Sequence, residues 1–335
     1  MLSGSKLLRV LLIVIILACS GCDDAQNRRE LAAYDDSMLS NEEVEVLIEA
    51  GMNVSQIGAL LVKEGVIADA EIFRYYTTNR GFAARLQAGL YKFNKGMSVV
   101  SATAMIVDGD VYIPRYVFSL PEGSNIRQIA IAAERQGFCS EEEFLMAVEH
   151  STLRSAEPGV MFPLEGYLYP ATYTWSWNLT AEELLEEFYS EAIWRYEAYE
   201  VPEDHPLSFE EIIILASLLE KESQYDNERE VVAGVFLNRL KLGMPLQSCA
   251  TVNYILPEFK DVLTYDDIAI DSPYNTYIID GLPIGPISSP GDLAIRAVLY
   301  PAETDYLFFV VSEDGTHIFS RTYEEHEAAA AWLGG

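Results

Sequence analysis

Basic residues are scarce in this chain of 335 residues, which holds 22 lysines and arginines against 52 aspartates and glutamates. The formal net charge is −30 at pH 7. A protein that binds a phosphate backbone needs clustered lysine and arginine side chains. The composition therefore excludes nucleic acid as a partner and predicts an acidic surface.

Cysteine and histidine are also rare, with four of each. Two of the cysteines lie at the N-terminus, which leaves Cys139 and Cys249. Two cysteines are too few for a disulfide framework, although one disulfide between them is an open alternative. His317 and His326 lack a motif that combines histidine with a carboxylate, so they predict hydrogen-bonding roles and no metal site. We expect neither a metal nor a cofactor.

No apolar run reaches the roughly 20 residues that a membrane-spanning helix needs. Lys6 and Arg9 precede a short apolar run at 10–18, which small residues follow. This is the pattern of a secretory signal, so we predict a signal peptide at 1–22. A retained N-terminal anchor is the alternative.

The end of this apolar run resembles a lipobox, a small residue followed by cysteine. Gly21 and Cys22 fit better than Ala18 and Cys19, although neither fit is ideal. Lipid on Cys22, or on Cys19 as second choice, would tether the chain to a membrane. The prediction is a location in the cell envelope, membrane-attached, with the folded part outside the cytoplasmic membrane.

An internal repeat relates the segment that starts at Gly51 to the segment that starts at Gly123. Identical residues coincide at Gly51 and Gly123, Asn53 and Asn125, Gln56 and Gln128, Ile57 and Ile129, Gly65 and Gly137, and Glu71 and Glu143. Each copy predicts a strand, a capped helix that ends at a glycine, and a second helix. A capping box at Ser140 and Glu143 starts the last helix of the second copy.

The sequence AGLYKF at 88–93 adds a strand to the first copy, which gives a β-α-α-β order like that of the small glycan-binding LysM fold. The alternative is that the two copies are simply packed α+β units. From about Met161 the pattern is mostly helical, with a hairpin near the end. The predicted organisation is α+β, with a linker at 23–42, a LysM-like domain at 43–112, a second β-α-α unit at 113–160 and a mostly helical domain at 161–335.

A buried helix is predicted to begin at a capping box formed by Ser208 and Glu211. Its residues 212–219 carry no charge, and Glu220 follows them above Ala216 and Ser217. Small residues beneath a carboxyl group leave room for a ligand. Burial would raise the pKa of Glu220, which suits a general acid acting on a glycosidic oxygen. A solvated charge at a helix end is the alternative.

Glu222 lies above two leucines on the same helix and is interpreted as structural or supporting. A carboxyl group there needs a partner, such as Arg229 or Arg239. Farther along, a loop fixed by four prolines carries Tyr274, Asn275, Thr276 and Tyr277 in a row. Amide, hydroxyl and aromatic groups on a rigid loop suit sugar recognition, although structural turns use the same residues.

Taken together, these blocks resemble the endolytic murein transglycosylases of the MltG (YceG-like) family. The matching segments are LEGYLYPATY (164–173), ASLLEKES (216–223), ER (228–229), VFLNRLKLGMPLQS (235–248), TVNY (251–254), SPYNTY (272–277), GLPIGPI (281–287) and DGTHIFS (314–320). They occur in the family's order over roughly residues 45 to 330.

The resemblance implies a lyase with a lytic, lysozyme-like domain that cuts peptidoglycan strands internally, between N-acetylmuramic acid and N-acetylglucosamine. The family's catalytic glutamate falls on Glu220. Members leave a 1,6-anhydro ring, because the substrate's own 6-hydroxyl is the nucleophile. Expected partners are peptidoglycan glycan strands, the membrane and cell-wall synthases.

Further positions are predicted to bind substrate or to support the site. They are Ser217, Glu222, Arg239, Gln247, Tyr254, Tyr274, Asn275, Thr276, Tyr277 and Glu165. The chain departs from the family pattern at Cys249 and Ala250, where Asp-Pro is usual, and at Ala171, where Asp is usual. These departures leave two alternatives open, a non-catalytic peptidoglycan-binding scaffold and a true glycoside hydrolase.

Overall fold

The structure is a computed structural model that describes residues 26–223, 225–312 and 314–333. The predicted signal segment, with Cys19 and Cys22, lies outside these residues. Within the described ranges, none of the helices combines the length and the apolar character needed to cross a membrane.

The chain divides into two compact units, one up to Pro114 and one from Arg115 onward. The first unit mixes helices with one two-stranded antiparallel sheet and the second mixes helices with two, so the fold is α+β, as predicted. The finer domain boundaries inferred from the sequence stay predictions.

The first unit follows a β-α-α-β order. Helical residues 26–33 precede β1 (Glu43–Ile48), α1 (Val54–Lys63), α2 (Ala70–Asn79), β2 (Gly89–Asn94) and α3 (Val99–Asp108). β1 and β2 pair antiparallel, with Glu43 opposite Asn94. Alternate residues of β2 point inward, and Tyr91 and Phe93 are fully buried in the core of this unit.

The second unit begins with the repeat's second copy. It comprises β3 (Tyr116–Ser119), α4 (Ile126–Arg135), α5 (Glu141–His150) and β4 (Thr172–Trp175). β3 pairs antiparallel with β4, so this copy is also closed by a strand that the sequence did not predict. Asn53 and Asn125 each form a capping box with the glutamine three residues later, and the predicted Ser140 box is present.

The rest of the second unit is mostly helical. It comprises α6 (Ala181–Tyr196), α7 (Phe209–Glu222), a 3₁₀ turn (Asp226–Glu228), α8 (Arg229–Lys241), α9 (Cys249–Ile255), α10 (Tyr265–Ile268), α11 (Asp292–Leu299), β5 (Phe308–Val311), β6 (His317–Ser320) and α12 (Tyr323–Leu333). β5 and β6 form the predicted antiparallel hairpin.

Helix α7 is the centre of this unit. The predicted capping box of Ser208 and Glu211 starts it, and every residue from Ile212 to Leu219 is buried. α7 contacts α8, α9 and α11. A helix that is apolar around its circumference needs such cover on all sides.

The two matching capping boxes give a stability prediction. We expect Asn53→Ala and Asn125→Ala each to lower the free energy of unfolding by about 1 kcal/mol, because each removes the acceptor for a backbone N–H in the first turn. Urea denaturation of the purified variants measures this loss. Asn178→Ala, at an exposed position outside the caps, is the control. Equal midpoints for all three variants would contradict the capping assignment.

Candidate active site

The carboxyl group of Glu220 lies at the C-terminal end of α7 and is held at both oxygens. Oε1 accepts a hydrogen bond from Nη1 of Arg229 at 3.0 Å, and Oε2 accepts one from the backbone N–H of Gly291 at 2.9 Å. Only 6% of the Glu220 side chain is exposed. The sequence predicted an accessible carboxyl group, and the structure instead covers it with these two partners.

Arg229 is the first residue of α8, directly after the 3₁₀ turn. Its Nε donates to Asp226 Oδ1 at 3.2 Å, and 9% of its side chain is exposed. The sequence interpretation offered Arg229 or Arg239 as a partner for Glu222, which is wrong. The turn between α7 and α8 brings Arg229 to Glu220, and Glu222 instead pairs with Ser248.

Ser217, which lies beneath Glu220 in α7, fixes a loop and does not leave open space. Its hydroxyl donates to the carbonyl of Ile214 at 2.6 Å and accepts from the N–H of Ile287 at 3.0 Å. Its own carbonyl accepts from the hydroxyl of Ser288 at 3.0 Å. The small residue therefore admits the backbone of the loop that leads to Gly291.

A turn at 121–124 covers the other side of this loop. The N–H of Gly123 donates to the carbonyl of Ser289, and the N–H of Ser289 donates to the carbonyl of Ser124, both at 2.8 Å. Lys221 Nζ donates to the carbonyl of Gly123 at 3.0 Å. Gly123 has a φ of +72°, and a Cβ there would lie 3.4 Å from Cγ of Glu220. The turn is thus packed directly on the candidate catalytic side chain.

Glu222 belongs to a second cluster, on the other side of the helix end. Its Oε1 accepts from the hydroxyl of Ser248 at 2.5 Å. Burial raises the pKa of Glu222, and the Ser248 hydrogen bond and the nearby His317 act in the opposite direction. The backbone N–H of Ser248 donates to Thr276 Oγ1 at 3.0 Å. Glu222 therefore links α7 to the loops that follow α8 and α10.

Arg239 and Gln247 meet next to this cluster. Arg239 is buried, and its Nη2 donates to Gln247 Oε1 at 2.6 Å. Burial lowers the pKa of Arg239. Gln247 itself is exposed and has a φ of 54°, which is uncommon for a residue other than glycine. Strained residues at an exposed edge often mark a functional site, so Gln247 stays a candidate for substrate contact.

Three of the four polar residues in the predicted sugar-recognition row are buried in this structure. Tyr274, Asn275 and Thr276 are at most 1% exposed. Asn275 Nδ2 donates to the carbonyls of the preceding loop, at residues 268 and 270. These three side chains support the loop, and Tyr277 is the member that is partly exposed. Its hydroxyl lies 3.0 Å from Sγ of Cys249.

Glu165 and Tyr254 form a third, fully buried cluster at the N-terminus of α4. Both carboxyl oxygens of Glu165 accept from the N–H of Ile126 at 3.2 Å, and the Tyr254 hydroxyl donates to Oε2 at 3.0 Å. The rings of Tyr254 and Tyr274 lie 5.0 Å apart. Burial raises the pKa of Glu165 to about 7. The hydrogen bonds from Ile126 and Tyr254 join this carboxyl group to helices α4 and α9.

Cys139 and Cys249 are free thiols, so the disulfide that the sequence left open is not formed.

The predicted hydrogen-bonding role of His317 is present. Its Nδ1 lies 2.7 Å from Glu228 Oε2, within hydrogen-bond distance. Among the described residues, no group of three or more histidine, cysteine, aspartate or glutamate side chains is arranged to hold a metal. The carbonyl of Ala171 accepts from the N–H of Leu120 at 2.9 Å, just before the turn at 121–124.

Comparison with known proteins assigns the chain to a family. A model of the YceG-like family matches residues 46–331. The chain belongs to this family. The match covers the repeat's two copies, the helix that carries Glu220 and the C-terminal hairpin.

The similar proteins include curated relatives and a solved structure. The endolytic murein transglycosylase of Bacillus subtilis (strain 168) is 34% identical over 308 residues, which cover 87% of this chain and 84% of the relative. The enzyme of the same name from Streptococcus pneumoniae D39 is 31% identical over 323 residues, and the match spans 58% of its length. A crystal structure of a YceG-like protein from Listeria monocytogenes has a TM-score of 0.60 and 33% identity, and the match covers 87% of this chain and all of that one.

The buried Glu165 predicts a pH-dependent stability. Its pKa is about 7 in the folded protein against an ordinary 4.5, so the folded state binds the proton more tightly than the unfolded state does. Its contribution to stability is therefore fully present below pH 4.5 and is lost as the pH rises through 7. Relative to Glu165→Gln, the wild type should lose about 3 kcal/mol across this range.

Thermal unfolding of both proteins at several pH values checks this prediction. Glu186→Gln, at an exposed position of α6, is the control and should follow the wild type. A difference between wild type and Glu165→Gln that stays constant with pH would contradict it.

Proposed function

We propose that this protein is an endolytic murein transglycosylase, a lyase that cuts peptidoglycan glycan strands internally, and that Glu220 is its catalytic acid and base. The observation that carries the proposal is the carboxyl group at the end of the apolar helix α7, held at both oxygens by Arg229 and Gly291. Membership in the YceG-like family and relatives named endolytic murein transglycosylase support the substrate class.

In the first step, the Glu220 carboxyl group gives its proton to the glycosidic oxygen between N-acetylmuramic acid and N-acetylglucosamine. The bond from C1 of the muramic acid to this oxygen breaks with its electron pair on the oxygen, N-acetylglucosamine leaves with a hydroxyl group, and C1 is left with oxocarbenium character. Glu220 becomes a carboxylate, which accepts the hydrogen bonds of Arg229 and Gly291. Charge-assisted bonds of this kind stabilise the ionised form that exists between the two steps.

In the second step, the 6-hydroxyl of the muramic acid attacks C1 and its proton passes to Glu220. A C1–O6 bond forms, the product carries a 1,6-anhydro ring, and Glu220 regains the proton that it gave up. No water is consumed, and one carboxyl group serves both transfers. A hydrolase with two carboxylates would place a second acid at roughly 5 to 9.5 Å to act as nucleophile or to activate water.

The other candidate residues of the site fall into two groups, those with exposed side chains and those with buried ones. Gln247 and Tyr277 are exposed or partly exposed, and we assign them to substrate contact. Ser217, Glu222 and Arg239 are assigned to support, because their polar atoms bond to loops around the site. The same reasoning assigns Tyr254, Tyr274, Asn275, Thr276 and Glu165 to support.

The β-α-α-β fold of the first unit supports a LysM-like role at 43–112, in which this unit binds glycan strands while the second unit cuts them. We assign the N-terminal segment to membrane attachment in the cell envelope, through lipid on Cys22 or Cys19 or through a retained anchor. Cell-wall synthases, which extend the strands that this enzyme would cut, are the proposed protein partners.

Glu220→Gln tests the proposal. We expect the purified wild-type chain to release fragments with 1,6-anhydro ends from peptidoglycan sacculi, as identified by mass spectrometry. Glu220→Gln should lower the rate at least about 100-fold, because general acid and base catalysis contributes factors of that size. Glu222→Gln, on the same helix, should retain more activity than Glu220→Gln, and Glu186→Gln should match wild type.

The products also separate the rival functions. Reducing ends in place of anhydro ends would select a glycoside hydrolase. Binding of sacculi without any product would select a scaffold, an alternative that the departures at Cys249, Ala250 and Ala171 motivate. Equal activity of Glu220→Gln and wild type would contradict the assignment of Glu220 as the catalytic residue.

A further inference from the structure

Arg239, in the last turn of α8, is a buried arginine without a carboxylate partner. Arg229 and Arg239 are the two buried arginines of the described residues, and each is 7% exposed. Arg229 pairs with Glu220 at 3.0 Å and with Asp226 at 3.2 Å. Arg239 forms no ion pair with any residue that the structure describes. Buried charges in proteins are normally paired, so the charge of Arg239 lacks its usual compensation.

The guanidinium group of Arg239 also leaves most of its hydrogen-bonding capacity unused. An arginine side chain has several N–H donors and no acceptor. Within the described ranges its one hydrogen bond runs from Nη2 to Oε1 of Gln247, at 2.6 Å. Its Nε is buried and has no acceptor. A guanidinium group binds a carboxylate through a fork of parallel N–H···O bonds, and such an acceptor is what this position lacks.

An aromatic ring holds this guanidinium group in place without using its donors. Cζ of Arg239 lies 5.4 Å from the centre of the Phe308 ring, in β5. A ring face attracts the positive charge but offers no lone pair to an N–H group. Burial lowers the pKa of Arg239, and Tyr277 is the group that acts in the opposite direction. The side chain is therefore fixed, and no carboxylate makes up for its lost hydration.

The acceptor of Arg239 is an exposed side chain at the edge of the candidate active site. Gln247 is exposed, and its backbone N–H donates to the carbonyl of Thr276 at 2.9 Å. The next residue, Ser248, donates to Glu222 at the end of α7. A carboxylate is a stronger acceptor for a guanidinium group than a neutral amide oxygen is. A ligand carboxylate can therefore displace the side chain of Gln247 from Arg239.

We propose that Arg239 is the anion-binding residue of a subsite at this edge, where it binds a carboxylate of the glycan strand in place of Gln247. The proposal rests on the proposed function and gives Arg239 a contact with substrate in addition to its support of the loop. Peptidoglycan offers such a carboxylate from either of two sources. The lactyl group of N-acetylmuramic acid ends in one where no peptide is attached, and the peptide stem carries its own where the lactyl group is amide-linked.

Calorimetric titration with three oligosaccharides tests this subsite in the full chain with Glu220→Gln, which keeps the ligands intact. The first is a peptide-free tetramer of alternating N-acetylglucosamine and N-acetylmuramic acid. The second is the same tetramer with peptide stems. The third is a tetramer of N-acetylglucosamine, which has no carboxylate and serves as the reference ligand.

Adding Arg239→Gln should weaken the binding of a muramic tetramer roughly 10- to 100-fold, the size expected when a hydrogen bond to a charged group is lost. Binding of the N-acetylglucosamine tetramer should stay the same. Arg239→Lys should fall between, because lysine keeps the charge and loses the fork. An effect on the peptide-free tetramer assigns the lactyl carboxylate, and an effect on the peptide-bearing tetramer alone assigns the stem. Unchanged binding of both muramic tetramers would overturn the proposal.

Two further substitutions change the net charge by the same amount as Arg239→Gln does. Lys241→Gln removes a positive charge from an exposed position of α8 and is the matched control, so it should bind all three ligands as the parent does. Gln247→Glu supplies Arg239 with a carboxylate from within the chain. It should raise the midpoint of thermal unfolding and weaken binding of the muramic tetramer that Arg239 binds. A folded Gln247→Glu variant with unchanged binding would overturn the proposal even if Arg239→Gln did not fold.

Activity on sacculi separates a failure of this subsite from a failure of the proposed function. If the wild type released no anhydro product and binding still depended on Arg239, the proposed function would fail and the subsite would stand. If the wild type released anhydro product and binding did not depend on Arg239, the subsite alone would be overturned.

Discussion

The ion pair between Glu220 and Arg229, completed by the N–H of Gly291, is the interaction on which the site depends. A buried charge pair loses its hydration, and it is tolerated only where geometry and further hydrogen bonds compensate. The partners come from the end of α7, the start of α8 and the N-terminus of α11. These elements must therefore all be in place before the carboxyl group is satisfied, which ties the chemistry of one residue to the packing of a whole unit.

Helix α7 makes this arrangement possible because nothing on its buried stretch competes for the carboxyl group. From Ile212 to Leu219 the single polar side chain is Ser217, and its hydroxyl is used to hold the loop at 287–288. That loop continues to Gly291, so the residue one turn before Glu220 sets the position of a donor to Glu220. Ser217, which holds the loop, and Glu220, the proposed acid, lie on one face of the helix. A substitution at Ser217 would therefore change the position of the Gly291 N–H, and so its hydrogen bond to Glu220, through the loop backbone.

The sequence predicted features that depend on neighbours along the chain. The capping boxes at Ser140 and Ser208 are local patterns, and so is the apolar run of α7, and the structure has all of them. Contacts between distant segments were not predictable in this way. The pairing of Arg229 with Glu220 depends on how the chain turns after α7, and the strand β4 follows its partner β3 only after two helices and a long loop. Likewise the polarity of Asn275 and Thr276 did not reveal that they are buried, because loops can satisfy their own polar groups.

The contrast between Glu220 and Glu222 shows why partners, and not spacing, decide what a carboxyl group can do. They are two residues apart at the end of one helix, and both are largely covered. Glu222 accepts a hydrogen bond from a neutral hydroxyl, and burial raises its pKa. Glu220 is instead held at both oxygens, by a guanidinium and by a backbone N–H. The two carboxyl groups thus differ in the charge and number of the groups that hold them, although they lie at the same helix end.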